Sequence, residues 1–143
     1  MDTCMSLTGI TFEGGFIPSQ LGNENFKHLH LNETLTQSEY INKLQRSIFA
    51  FNTPAVWNCH GWKLGEFLCM GKAIISTPLS NDLPAPLIHG ESIHIVNNQQ
   101  DLIDAIQLLN ENDSYRMKLE KNAREYYDKY VSPEASIRLL KIN

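Results

Sequence analysis

His60, Lys63 and Glu66 recur at a spacing of three, with Gly61 and Trp62 between the first two and Asn58 just ahead. Leu64, Phe67 and Leu68 fall at i, i+3 and i+4, the spacing of one buried helical face, so these residues open a short amphipathic helix. Lys63 then lies in the first turn, where the macrodipole already disfavours a cation. Glu66, three residues on, projects on the same side. Gly61 leaves backbone N–H groups open to close approach. Amides, an ammonium group and a carboxylate at one helix start suit an anionic ligand that also carries hydroxyls. A surface Lys–Glu pair on an ordinary crossover accounts for the same two charges, and such pairs are common and weak.

The flanking elements must position these groups. Ile48, Phe49, Ala50 and Phe51 form a continuous apolar run that reads as a strand, closed by Asn52-Thr53-Pro54. Gly71 sits where a left-handed residue usually stops a helix. Residues 73–76 are a second brief apolar run ended by Thr77-Pro78. A run that short and unalternating suits a parallel strand covered on both faces. The turn-rich stretch 79–86 then lies at a strand's carboxyl end, where open α/β sheets bind ligands. Ser80 and Asn81 are its candidates for reaching a phosphate or a sugar; a plain surface loop fits equally.

The run Gly65-Glu66-Phe67-Leu68-Cys69-Met70-Gly71-Lys72-Ala73-Ile74-Ile75-Ser76 resembles the nucleotide-sugar site of two-domain GT-B glycosyltransferases, which often read Glu-Ala-Met-Ala-x-Gly-(Lys/Arg)-Pro-Val-Ile there. The resemblance implies that Glu66 binds the donor's ribose hydroxyls. It gives Lys63 and the amides near Gly61 and Trp62 the diphosphate. Many retaining members carry a second Glu eight positions earlier, against the donor sugar. Asn58 stands at that position here, and Asn58 or His60 is the expected partner of a sugar hydroxyl. Helix, strand and Thr-Pro before the site resemble the same lobe, as do His89-Gly90-Glu91-Ser92 ahead of a short last strand and Asn122-Ala123-Arg124 in the penultimate helix.

The 143 residues suffice for one domain with a real core, and 42% apolar with 20% charged residues is ordinary for a soluble globular chain. A net charge of −4 without a Lys/Arg cluster argues against nucleic acid. No apolar run approaches a transmembrane length, and no basic-then-apolar leader follows Met1. Cys4, Cys59 and Cys69 form no CxxC pair, which favours a reducing, cytoplasmic setting. Cys59-His60 is a poor metal or nucleophile pair, since adjacent residues rarely face one centre; no metal is expected.

Along the rest of the chain, residues 7–12 read as a strand, Gly14-Gly15 as a turn and residues 22–25 as a loop. Ser19-Gln20 follow the glycine pair, so no dinucleotide fingerprint develops. Alternation over 27–31 predicts a short strand with His28 and His30 on its less buried face. Thr36 with Glu39 predicts a capping box for a helix over 37–47 whose apolar face is Tyr40, Ile41 and Leu44. Residues 93–96 read as the last strand. A helix begins at Asp101 with Leu102, Ile106 and Leu109 inward, and Asp113 or Ser114 caps the next. That helix carries Tyr115, Leu119, Ala123, Tyr126 and Tyr130, read as core packing with wet hydroxyls. Ser132-Pro133 starts a final helix packed through Ile137 and Leu140.

Strand–helix alternation predicts an α/β fold, a Rossmann-like parallel sheet with helices on both faces. Residues 1–26 are a poorly defined opening and 27–143 the nucleotide-sugar-binding domain. The expected function is donor binding in a glycosyltransferase, using a UDP- or GDP-sugar as substrate and no further cofactor. The acceptor lobe is expected on a longer chain or a partner, with any peripheral membrane association through the complete enzyme. Two other readings share the architecture: a non-catalytic Rossmann-like subunit module and a lobe of a sugar-nucleotide epimerase.

Overall fold

The computed structural model describes residues 1–17 and 24–140. These form two compact units, Met1–Gln45 and Arg46–Asn143, and the expected division at 26/27 falls inside the first. Ser19-Gln20, and Gly22-Asn23 of the expected loop over 22–25, lie outside the described residues.

In the first unit, α1 (Asp2–Ser6) buries Cys4, and a 3₁₀ turn (Glu24–Leu29) buries Leu29. Two expectations fail here. Residues 7–12 are not a strand, and the 27–31 alternation folds mostly as the 3₁₀ turn, leaving His30 in a single parallel bridge to Phe16. Five alternating residues hold a strand only with a partner ladder, and Phe16 offers just two bonds, Phe16 N–H to Leu29 O at 2.9 Å and Leu31 N–H to Phe16 O at 2.8 Å. Gly15 permits that approach, because a Cβ there would lie 2.6 Å from the Leu31 side chain and 2.8 Å from the Leu29 carbonyl. His28 and His30 form no pair; His28 Nε2 instead meets Asp2 Oδ1 at 2.9 Å.

The capping box at α2 (Gln37–Arg46) closes as its spacing predicts. Thr36 N–H donates to Glu39 Oε2 at 2.8 Å, and Glu39 N–H donates to Thr36 Oγ1 at 3.3 Å. Leu44 is buried and Tyr40 and Ile41 are half-buried, on the expected face.

The second unit is α/β. Strands β1 (Phe49–Asn52), β2 (Ala73–Ser76) and β3 (His94–Ile95) form a parallel sheet in the order β1-β2-β3. Phe49 to Asn52 pair in register with Ala73 to Ser76, while Ile75 and Ser76 pair with His94 and Ile95. β3 is two residues shorter than its apolar run suggests. All four β2 residues are buried, so the central strand is covered on both faces.

Helix α3 (Trp62–Cys69) crosses from β1 to β2 with Leu64, Phe67 and Leu68 buried. α4 (Gln99–Glu111) and α5 (Asp113–Tyr126) pack on β2 and on each other, and α5 also packs on α3. α4 starts two residues before the expected Asp101, and Asn112 rather than Asp113 or Ser114 caps α5. Asn98 Oδ1 accepts from Asp101 N–H and Asn112 Oδ1 from Tyr115 N–H, because Asn reaches the third helical N–H as well as Asp or Ser does. A π-turn (Tyr127–Val131) leads to α6 (Pro133–Leu139), capped by Ser132 with Pro133 first, as predicted. Its inward residue is Ala135; Ile137 and Leu140 are exposed, contrary to expectation.

Candidate functional site

The parallel sheet sends the segments after β1 and β2 to the same carboxyl edge. The two strand ends are locked there by buried side chains. Asn52 Nδ2 donates to Ser76 Oγ at 2.9 Å, Ser76 Oγ donates to the Thr77 carbonyl at 2.7 Å, and Thr77 N–H returns to Asn52 O at 3.3 Å. Asn52 reads in sequence only as the close of a strand. Its partner lies 24 residues away, so no local pattern announces the bond.

After Pro54 the chain makes a tight turn over residues 56–59. Cys59 N–H donates to Val56 O at 3.3 Å, and Ala55 N–H donates to Cys59 O at 2.8 Å. Trp57 and Asn58 occupy its centre with φ of 60° and 58°, and both are exposed. His60 follows and fastens this segment to the next loop, since its Nε2 lies 2.9 Å from the Asn81 carbonyl. A carbonyl only accepts, so Nε2 carries the hydrogen and Nδ1 presents a lone pair. Nδ1 is buried and has no hydrogen-bond partner within the protein. The clasp also places Ser80, exposed and next to Asn81, in the loop held by His60.

Gly61 is the N-cap of α3 and supplies no side-chain cap. Leu64 N–H bonds back to Gly61 O at 3.0 Å, which leaves the first-turn amides of Trp62 and Lys63 for another acceptor. The Trp62 and Lys63 side chains are exposed, and Glu66, one turn further in, is half-buried. Of the residues marked in sequence, the fold thus puts Gly61, Trp62 and Lys63 on one turn, Glu66 on the next, and His60 and Ser80 across a hydrogen-bonded clasp. Asn58 stands apart, at the tip of the strained turn.

The far end of α3 is fixed by a Schellman motif. Lys72 N–H donates to Phe67 O and Gly71 N–H to Leu68 O, both at 3.0 Å, with Gly71 left-handed at φ 59°. The triplet Asn122-Ala123-Arg124 completes the frame. Asn122 Nδ2 donates to Glu91 O at 2.8 Å, Ala123 is fully buried, and Arg124 Nη1 donates to Cys69 O, the last α3 carbonyl, at 2.7 Å. Tyr126, expected to wet its hydroxyl, instead bonds the Ala85 backbone and pins the loop after β2.

A second polar cluster lies at the entrance to β3. His94 Nδ1 meets the Tyr115 hydroxyl at 2.8 Å, and the His89 ring stands 4.7 Å from that of His94. His89 Nδ1 accepts the Ile95 N–H at 2.9 Å. Burial, and next the neighbouring His89, hold His94 below the usual imidazole range.

Among the described residues, no group of three or more His, Cys, Asp and Glu is arranged to hold a metal, and no helix is long and apolar enough to cross a membrane. No family model matches the chain, and neither a curated protein nor a solved structure matches it.

Proposed function

We propose that the second unit is the donor-binding lobe of a GT-B-like glycosyltransferase, holding a nucleoside diphosphate sugar at the carboxyl edge of its Rossmann-like sheet. One observation carries the reading: the β1–α3–β2 crossover opens with an uncapped helix start directly after a Gly, with Glu66 one turn inside. Such a start attracts phosphate through its amides and dipole. Glu66 is the proposed acceptor for two ribose hydroxyls, and Lys63 offsets charge that develops on the leaving diphosphate. His60 Nδ1, buried and unpartnered, is available to a ligand hydroxyl. The strand order, stepping outward in one direction, agrees with one half of a doubly wound sheet. Transfer itself would take an acceptor lobe, from a longer chain or a partner.

Titration calorimetry with uridine, guanosine and adenosine diphosphates tests the proposal. At least one binds, and Glu66→Ala weakens it. Absence of binding by the wild type, or indifference to Glu66→Ala, refutes the assignment.

A non-catalytic subunit module is the second reading. It draws on β1 as a sheet edge, with Phe51 in the strand 41% exposed and Ile48 just ahead of it 50% exposed. Light scattering on a chain that binds no nucleotide but self-associates would favour it.

A further inference from the structure

Strand β1 closes one side of the sheet, and its register with β2 fixes which main-chain groups face outward. Thr77 N–H donates to Asn52 O, so the Asn52 carbonyl points at β2. The N–H and C=O of one strand residue share a side, and successive residues alternate. Ala50 therefore also faces β2, while Phe49 and Phe51 turn two N–H and two C=O groups away from the sheet. Among the described residues, none of these four groups has a hydrogen-bond partner. Edge strands are usually protected by a lysine, a proline or a bulge. Residues 48–52 carry neither Lys nor Pro, and the register over 49–52 is unbroken. β3, at the other side of the sheet, has only two residues and offers no comparable ladder.

We propose that β1 pairs with β1 of a second copy of the chain, antiparallel about a twofold axis at Ala50, joining the two sheets into one. Phe49 then stands opposite Phe51 of the second copy, and Phe51 opposite its Phe49. Each such pair exchanges two hydrogen bonds, which uses every outward group on both strands. The aromatic rings lie side by side across the junction, a favourable cross-strand pair. On the other face Ala50 meets its own counterpart, and the half-exposed Ile48 gains cover from the second strand. Charge permits the approach. The chain carries −4, yet residues 47–62 contain no Asp, Glu, Lys or Arg, so two copies meet here without the repulsion that their net charge imposes elsewhere. The contact is also isologous, as a closed dimer requires. Pro54 has no N–H and ends the ladder, so the junction is short and falls below the roughly 1,200 Å² of a stable interface. The dimer is accordingly a weak one. It uses the long side of β1 rather than the carboxyl edge, so it does not depend on donor binding.

The test is sedimentation equilibrium on the full chain from about 10 μM to about 1 mM, with amide hydrogen exchange followed by NMR over the same range. A monomer–dimer equilibrium is expected, in which the Phe49 and Phe51 amides exchange roughly threefold to tenfold more slowly at the high end. The Ala50 and Asn52 amides, already bonded to β2, do not change. Phe51→Lys weakens the dimer roughly tenfold or more, because the change enters twice by symmetry. Phe51→Tyr keeps it. A chain that stays monomeric throughout overturns the inference, as does association that leaves Phe49 and Phe51 exchange unaltered. Association of equal strength in Phe51→Lys overturns it too. Should Phe51→Lys lose its fold by circular dichroism, the wild-type exchange rates decide alone. A monomer that binds nucleotide removes this inference and spares the donor-binding reading; a dimer with the expected exchange pattern that binds none does the reverse.

Discussion

The Asn52 side-chain amide donates to Ser76 Oγ at 2.9 Å with both residues almost wholly buried, at 3% and 0% exposure, and this bond ties the carboxyl ends of two adjacent strands. Ser76→Ala leaves the buried Asn52 amide without this acceptor, whereas Asn52→Ala leaves Ser76 Oγ without its incoming donor though still bonded to the Thr77 carbonyl. Asn52→Ala and Ser76→Ala should each lower stability by about 1–3 kcal/mol, the cost of an unmet buried polar group. The double variant should cost less than the sum of the two. Urea unfolding of the three variants measures the coupling, and strict additivity would mean the bond contributes little.

Gly71 gives a second stability test. Its φ of 59° is left-handed, and a Cβ there would come within 3.3 Å of both the Arg124 Cβ and the Glu120 carbonyl. Gly71→Ala therefore combines backbone strain of about 1–2 kcal/mol with pressure on α5. Gly71→Asn should be the milder change in conformation, since asparagine tolerates this region. Thermal unfolding ranks the two; a neutral Gly71→Ala would show that the α3 terminus readjusts freely.

What could be read from the sequence was local. The Thr36–Glu39 box, the Gly71 stop, the apolar run of β2 and the Ser132-Pro133 start each depend on residues within a few positions, and each forms. The failures come where local pattern is weak or context decides. Residues 27–31 alternate too briefly to hold a strand without a ladder, and Ile137 has the right spacing but is 64% exposed. The helix itself is legible from the spacing of Leu64, Phe67 and Leu68, and Lys63 stands out because a cation in the first turn opposes the macrodipole. The His60–Asn81 clasp and the Asn52–Ser76 lock were not legible, because their partners lie 21 and 24 residues apart. The turn at Trp57 was hidden for a different reason: such turns are announced by Asn-Gly, and only the Asn is present.

The His94 cluster predicts acid sensitivity. His94 is packed beneath the Tyr115 hydroxyl, beside the His89 ring and within the field of Asp101 on α4; burial dominates and lowers its pKa from 6.5. The unfolded chain therefore binds the proton more readily. Stability from this group is present above pH 6.5 and declines as pH falls through that value toward the folded-state pKa. Urea midpoints from pH 7.5 to 5 should fall for the wild type and flatten for His94→Gln. An unchanged slope in that variant would place the acid sensitivity elsewhere.

Lys63 and Glu66 should divide the ligand between them. Lys63 lies on the first turn of α3 and is exposed, so its proposed contribution to a diphosphate would be a screened charge interaction. Lys63→Ala should weaken nucleoside diphosphate binding by roughly threefold to tenfold at low salt, with the difference shrinking at higher ionic strength and free nucleoside unaffected. In the proposed site Glu66 would act through hydrogen bonds to hydroxyls, worth about 1.5–3 kcal/mol when one partner is ionised. Wild-type protein should therefore prefer a ribonucleoside diphosphate over its 2′-deoxy counterpart by about tenfold or more, and Glu66→Ala should erase that preference. Competition calorimetry with the paired ligands separates the two roles. A Glu66→Ala protein that still discriminates against the deoxy ligand would move ribose recognition to another residue, even if the diphosphate were held at the helix start.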